Sequence, residues 1–467
     1  MESLRPDAAP ALSLVPAVLD LRAFVATLRG RAILPSDDSY DTARQVQNAS
    51  IDRRPAVIVK AAGPDDVSRA VRYAASTGRE IAVRSGGHSF AGYSVADNAI
   101  VIDLSAMKGL HIDVERRLAW AQTGLTSGEL TAATSAHGLV VPFGDTSSVG
   151  IGGITLGGGI GWLSRKHGLT IDNVVWAEVV LADGSIVTAS EAENPDLFWA
   201  IRGGGGNFGV VTRFQYRLVP VDMVLGGAVV LPATREVLSG LVPVAKAAPD
   251  ELSMIAFMVP LPPAPFVPAE LVGRIGVMVS LVYDGDLDAG QAAVAPFRAL
   301  AEPIADLVGP MPYPAMYELF AEGAARHAST TRSLFADDLD EAAVETMLEW
   351  MNDRSSPMAM TQIRVLGGAV SRVAPEATAF AHRERDVLVA LVSMYEGDRA
   401  PHEAWVREYF EALRPSARGV YVNFLEDEGD KRVHDAYPAG TFERLVAIKR
   451  RYDPGNLFHL NQNIRPD

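Results

Sequence analysis

The 467-residue chain contains no cysteine. That absence removes disulfides, thiolate metal sites and cysteine nucleophiles together. Long apolar runs are missing as well: each is soon interrupted by Gly, Asp or Arg, so no segment is expected to cross a bilayer as a helix. The opening Met1-Glu2-Ser3-Leu4-Arg5-Pro6-Asp7 lacks the basic start and apolar stretch of a secretory leader, and a cytoplasmic location is expected. Positive charge is in deficit, with 42 Lys and Arg against 57 Asp and Glu and a net charge of −15. Phosphate backbones are bound by clustered cations, so neither a nucleic-acid nor a membrane partner is expected. The nine His form no His-Glu-x-x-His pair or comparable ligand spacing, and no metal site is expected.

What remains is a composition of 48% hydrophobic and 21% charged residues, that of a folded globular protein. The length calls for two or three packed units. Residues 1–50 read as helical turns and connectors, with a short amphipathic helix over 18–25. From Pro55 the rhythm changes to a β run at 56–60, a helix over 67–76 begun by Asp65-Asp66, and strands at 81–84 and 100–104, with the β pattern resuming at 118–121. Strand, helix, strand in this order indicates an α/β unit. Strands follow at 174–181, 185–189 and 210–218, and the Pro-bounded stretch 220–232 reads as a crossing between domains. Beyond it, helices over 236–248, 287–300 and 339–351 alternate with β runs at 277–283, 360–366, 387–394 and 419–424. Pro243 and Pro296 are expected to kink or shorten the first two helices. The pattern predicts an α+β unit with helices on one face of a largely antiparallel sheet.

Glycine is the chain's most conspicuous surplus. Three Gly-rich turns, 85–89, 150–161 and 203–209, fall within a short span. Gly204-Gly205-Gly206-Asn207-Phe208-Gly209 matches G-x-G-x-x-G, but it follows a helical pattern and precedes a β run. A nicotinamide-binding turn needs the opposite order, with an acidic residue about 20 positions on. Without Cβ atoms the backbone can close on a phosphate or a ring and aim N–H groups at it. Together the three turns favour a large phosphorylated cofactor.

The surrounding residues make the resemblance specific. Arg84-Ser85-Gly86-Gly87-His88-Ser89, Asp103-Leu104-Ser105, Gly150-Ile151-Gly152-Gly153, Gly157-Gly158-Gly159-Ile160-Gly161 and Arg165-Lys166-His167-Gly168 resemble the FAD domain of the vanillyl-alcohol-oxidase superfamily. Asn194-Pro195-Asp196-Leu197-Phe198-Trp199, the Gly203–Thr212 stretch, Tyr421-Val422-Asn423-Phe424, Tyr452-Asp453-Pro454-Gly455-Asn456 and Asn461-Gln462-Asn463-Ile464 continue it in order. The similarity is strongest to the berberine-bridge-enzyme-like group, which carries a PCMH-type FAD domain.

The resemblance implies a two-domain α+β fold: an N-terminal helical segment (1–50), an FAD-binding domain (51–220), a substrate domain with a helix-covered antiparallel sheet (221–440) and a C-terminal return (441–467). It also implies FAD bound covalently through His88. Cofactor contacts are implied for Arg84, Ser85, Gly86, Gly87 and Ser89, for Thr146, Gly150, Gly152, Gly153 and Gly157, for Gly209 and Val211, and for Asn461 and Gln462. Relatives that attach FAD twice carry Cys where this chain has Thr146, so a single attachment is expected, as in the branch resembling 6-hydroxy-D-nicotine oxidase. Val149 stands where the family controls access of O2; it is either that gate or a packing valine. Tyr421 is either the catalytic base or a buried strand tyrosine; on a strand, Asn423 would share its face. Relatives have a second Tyr where this chain has Phe424. An unperturbed phenol titrates near a pH of roughly 10, so a base needs a helper, for which Arg364, Arg383 and His382 stand in the right domain.

The implied activity is hydride transfer from a C–H of a small alcohol, amine or saccharide to FAD, with O2 as acceptor and H2O2 released, in a monomer or homodimer. A dehydrogenase with another acceptor and a redox-silent flavin protein are the alternatives. Of six Trp, only Trp350 and Trp405 fall in the substrate domain, so saccharide is not specially indicated.

Overall fold

In the computed structural model, which describes residues 21–319 and 325–467, three large sheets carry the chain, beside a two-stranded pairing of Leu139–Val140 with Val219–Pro220. The expected helix over 18–25 lies partly outside the described residues; its described part, Leu21–Val25, is helical and buries Phe24 against Tyr73, rings parallel at 4.1 Å.

The α/β unit is present as read. Val57–Lys60 and Ile81–Arg84 flank Ile100–Asp103 as parallel strands, and Arg31–Ile33 adds antiparallel to the first. Pro64–Thr77 crosses between them, with Pro at its start, two acidic residues in its first turn and Gly78 at φ 65° ending it, the usual polarity of helix punctuation. Asp66 reaches back to accept from the backbone N–H groups of Arg29, Gly30 and Ala62, clamping the N-terminal segment.

Leu118–Gln122 belongs elsewhere. It pairs with Leu110–Asp113 and Val210–Arg217 in a five-stranded antiparallel sheet completed by Val174–Val180 and Ile186–Ala189. The C-terminal helix Ala439–Tyr452 returns to this core, where Leu445 and Ile448 pack with Leu197, Trp199 and Phe208. Lys449, fully buried, donates to Asp453 Oδ2 at 2.6 Å, to Asn207 O at 2.8 Å and to Phe458 O at 3.0 Å. The last Gly-rich turn and the C-terminal strap are thereby tied to one ammonium group.

The third sheet has eight strands, all antiparallel. The stretch expected to be a crossing is its strand Met223–Pro232, paired along its length with Ile275–Tyr283. Leu252–Pro260 and Ala328–Ala336 are further strands that the pattern did not mark. Helices Arg235–Ala247, Leu287–Arg298, Glu341–Asn352 and Ala400–Leu413 cover one face as expected, and the first two continue through Pro243 and Pro296. Alternation then decides what the other face offers. Ala256, Ile363 and Leu391 point into the helix-covered core, while their neighbours Phe257, Gln362, Arg364 and Val392 point the other way, into a cavity. No helix among the described residues is long and apolar enough to cross a membrane.

Candidate active site

The cavity has a volume of about 600 Å³ and is walled by the Gly-rich turns on one side and the open face of the eight-stranded sheet on the other. Ser85, Gly86, Gly87, His88, Ser89, Thr146, Val149, Gly150, Gly152, Gly153, Gly209, Val211, Tyr421, Asn461 and Gln462, all picked from sequence, line it. They come from segments far apart in the chain, brought together by close backbone approach: most lie on loops, Val211 is on the strand Val210–Arg217, and the stretch 150–161 read as a turn is in part a short helix, Ile151–Gly157, that carries Gly152 and Gly153. A Cβ on Gly86 would run into the backbone nitrogen of Gly150, so the first two turns touch only because both residues are glycine. Ser85 fixes the contact by donating to Thr123 O and accepting from Gly152 N–H at 3.2 Å.

Two residues expected at the cofactor stand elsewhere. Arg84 turns into the protein and donates to Asp103 Oδ2 at 2.9 Å, both side chains buried; the strand ends there, and alternation sends the guanidinium to the neighbouring strand's carboxylate. Gly157 faces the carboxamide of Asn423, which occupies the space a Cβ would need.

His88 Nε2 lies 3.1 Å from Ser148 Oγ. Burial lowers the imidazole to about 4, and the hydrogen bond to Ser148 offsets only part of this. At neutral pH the ring is therefore uncharged and its nitrogen lone pair available, the state a nucleophile requires. Ser148 was not picked from sequence, although it lies within the stretch Pro142–Gly153 whose neighbours were.

Tyr421 is not on a strand. It precedes a short 3₁₀ turn, Val422–Phe424, at φ −84° and ψ 117°, because Arg418 and Gly419 bond only briefly to Phe335 before the chain leaves the sheet. Asn423 nevertheless meets it: Asn423 Nδ2 donates to Tyr421 Oη at 2.9 Å, and so does Gly159 N–H at 2.9 Å. Burial raises the Tyr421 phenol above 10, opposed by these two donors and by the charge of Arg364.

Of the three cations named as helpers, only Arg364 lines the cavity. Its Nη2 donates to Asp145 Oδ2 at 2.7 Å and to Gln362 Oε1 at 2.8 Å, and its guanidinium lies 5.4 Å over the Phe424 ring. Arg383 is consumed by a bidentate pair with Asp172, both bonds 2.7 Å. His382 Nε2 bonds the carbonyl of Asp435 at 2.9 Å and its ring packs on Phe335, which makes it a packing residue. Asp145 is the residue sequence reading missed here, since its partner lies 219 positions away.

A flavin dinucleotide fits what lines the cavity. Gly153 has open space where a Cβ would project, and Gly206 meets nothing closer than 4.0 Å. Asn461 Oδ1 is buried on the cavity wall with no hydrogen-bond partner, an orphaned acceptor that a ligand N–H would satisfy.

Comparison with known proteins agrees with this geometry. Residues 55–190 match the model of an FAD binding domain, and residues 420–465 match that of the berberine and berberine-like family. The chain is 30% identical to an FAD-linked oxidoreductase of Bacillus subtilis, over 94% of this chain and 97% of that one. It is equally 30% identical to (R)-6-hydroxynicotine oxidase of Paenarthrobacter nicotinovorans, over 94% and 98%. The crystal structure of 6-hydroxy-D-nicotine oxidase from Arthrobacter nicotinovorans superposes with a TM-score of 0.84 at 28% identity, covering 94% of this chain and 98% of that one. The chain belongs to the berberine-bridge-enzyme-like FAD-linked oxidoreductases of the vanillyl-alcohol-oxidase superfamily, and it is an FAD-dependent enzyme.

Proposed function

We propose that the protein is an oxidase of a small molecule, carrying FAD on a single covalent bond from His88. FAD, when bound, supplies the hydride acceptor and passes the electrons to O2 with release of H2O2. The observation that carries the reading is the placement of His88, beside the Gly86–Gly87 turn on the wall of a cavity closed by the sheet; burial lowers its imidazole, which favours the uncharged form. The oxidase names of its relatives support the choice of O2 as acceptor.

Ser85, Gly86, Gly87 and Ser89 would hold the pyrophosphate, with Gly150, Gly152, Gly153, Gly209 and Val211 packed along the cofactor. Asn461 and Gln462 would close over it; Gln462 is anchored by donating to the carbonyls of Leu425 and Glu426, both at 3.1 Å. Thr146 has no thiol, so no second bond forms there. Val149, on the cavity wall, would be the point that admits O2.

Tyr421 is the proposed proton acceptor for a hydroxyl substrate. Two N–H donors and the Arg364 charge are what a phenolate needs, while burial opposes it. The balance makes Tyr421 a weak acid whose basic form grows with rising pH. Stopped-flow mixing of the reduced protein with aerated buffer tests the oxidase reading: rapid return of the yellow form is expected, and sluggish return would assign a dehydrogenase.

A further inference from the structure

The substrate's chemical class is written on the sheet face opposite the Gly-rich turns. Phe257, Val259, Met278, Met360, Val392 and Met394 form its surface toward the cavity. They come from four neighbouring strands, so the patch is continuous across the sheet. Methionine side chains adapt to irregular apolar shapes and pack well on rings.

The polar groups on the same face are largely consumed. Gln362 accepts from Arg364 through Oε1 and contacts Met360 Sδ through Nε2 at 3.4 Å. The Thr331 hydroxyl donates to Leu391 O at 3.0 Å. Two groups are exceptions: no described hydrogen bond engages the Ser329 hydroxyl, and in Arg364 Nη2 alone makes the described hydrogen bonds while Nε is buried without a partner. Its charge is already balanced by Asp145.

Saccharides need the reverse: a stacking aromatic surface and a dense set of free hydrogen-bonding groups, since each hydroxyl left unpaired on burial is penalised. Among the described residues no Trp lines the cavity. Trp350 and Trp405 lie on the far side of the sheet, where Trp350 stacks on Tyr409 with ring centroids 5.5 Å apart. Trp162 is buried and donates to Ser280 Oγ at 3.1 Å.

We infer that the substrate is a predominantly apolar, ring-bearing molecule held by the methionine-rich sheet face, with one oxygen acceptor anchored at Arg364, and that it is not a saccharide. This rests on the oxidase reading above and narrows its substrate.

The test uses the holoprotein under anaerobic conditions with two panels at matched concentrations. One contains bicyclic and tricyclic benzylic alcohols, and amines of the same ring systems that carry one oxygen substituent; the other contains di- to tetrasaccharides. Binding is read by equilibrium dialysis, independently of turnover, and reduction by bleaching of the flavin. Dithionite bleaching followed by return in air is run alongside, so that failure of the flavin to cycle counts against the oxidase reading and not against the substrate class. Members of the apolar panel are expected to bind at least ten-fold more tightly than any saccharide, and Met360→Gln or Met278→Gln to weaken that binding about ten-fold. Saccharide binding of equal or greater strength overturns the inference. So does an apolar panel that fails to bind, or binding untouched by both substitutions.

Discussion

Arg364 Nη2 donates to Asp145 Oδ2 at 2.7 Å, joining the eight-stranded sheet to the loop that carries Thr146. Arg364 is buried, while the Asp145 side chain keeps 20% of its surface. Removing one partner of a buried pair leaves the other charge uncompensated, and partial exposure reduces the penalty. Asp145→Asn is expected to lower stability by roughly 1–3 kcal/mol. Combining it with Arg364→Met should cost less than the sum of the two. Denaturant titration measures both; strictly additive losses contradict the pairing.

Lys449 and Asp453 form a second, fully buried pair, and the ammonium also holds the carbonyls of Asn207 and Phe458. Lys449→Met leaves the buried Asp453 carboxylate without its counter-charge and the Asn207 carbonyl without this donor, a loss of about 3–5 kcal/mol. FAD retention should fall with it, because both carbonyls belong to segments on the cavity wall. Unchanged thermal stability together with full flavin content would show that this tie is dispensable.

Tyr421 gives a pH dependence with a definite sign. Burial raises its phenol above 10, so the phenolate fraction increases with pH throughout the neutral and alkaline range. For a hydroxyl substrate, kcat should climb with pH. Tyr421→Phe should flatten the profile and lower kcat about 10²–10⁴-fold, the usual range for a lost general base. A wild-type profile that is flat, or that the substitution leaves unaltered, assigns Tyr421 to positioning the Gly158-Gly159 turn alone.

The same residue shows where sequence reading stopped. The helix Pro64–Thr77 and its parallel strands were legible because Pro64, Asp65, Asp66 and Gly78 punctuate them locally. The stretch 220–232 was read as a crossing because Pro220 and Pro232 bound it; pairing of Met223–Pro232 with Ile275–Tyr283 overrides that signal. Ala328–Ala336 carries Ser329, Thr330, Thr331 and Ser333 and so lacks an apolar run, yet as the edge strand it supplies part of the cavity wall. Tyr421 was placed on a strand because an apolar run surrounds it, and the hydrogen bonds that define its turn are tertiary. The Gly-rich side of the cavity, by contrast, was anticipated at most positions, by the motifs that carry the resemblance and because glycine is required where two backbones touch, as at Gly86 and Gly150. Arg84 and Gly157 were assigned to it by position in a motif, and their own partners, Asp103 and Asn423, decided otherwise.

Val149 lines the cavity and is only partly covered, and its carbonyl accepts from Ser127 N–H at 2.8 Å, which fixes the backbone there. Val149→Leu fills space without moving that backbone. Reoxidation of the reduced protein by O2 should slow at least ten-fold while reduction by substrate changes little. Equal rates of reoxidation would make Val149 a packing residue.

The central claim concerns His88, which burial keeps uncharged at neutral pH, and the absence of any cysteine to form a second bond. It is tested most directly by precipitating the holoprotein with acid, digesting it and sequencing the flavin-bearing peptide by mass spectrometry. The account predicts a yellow precipitate and one flavin on the peptide containing Arg84–Ser89, attached at His88. FAD released into the supernatant, or a flavin on any other residue, would contradict it.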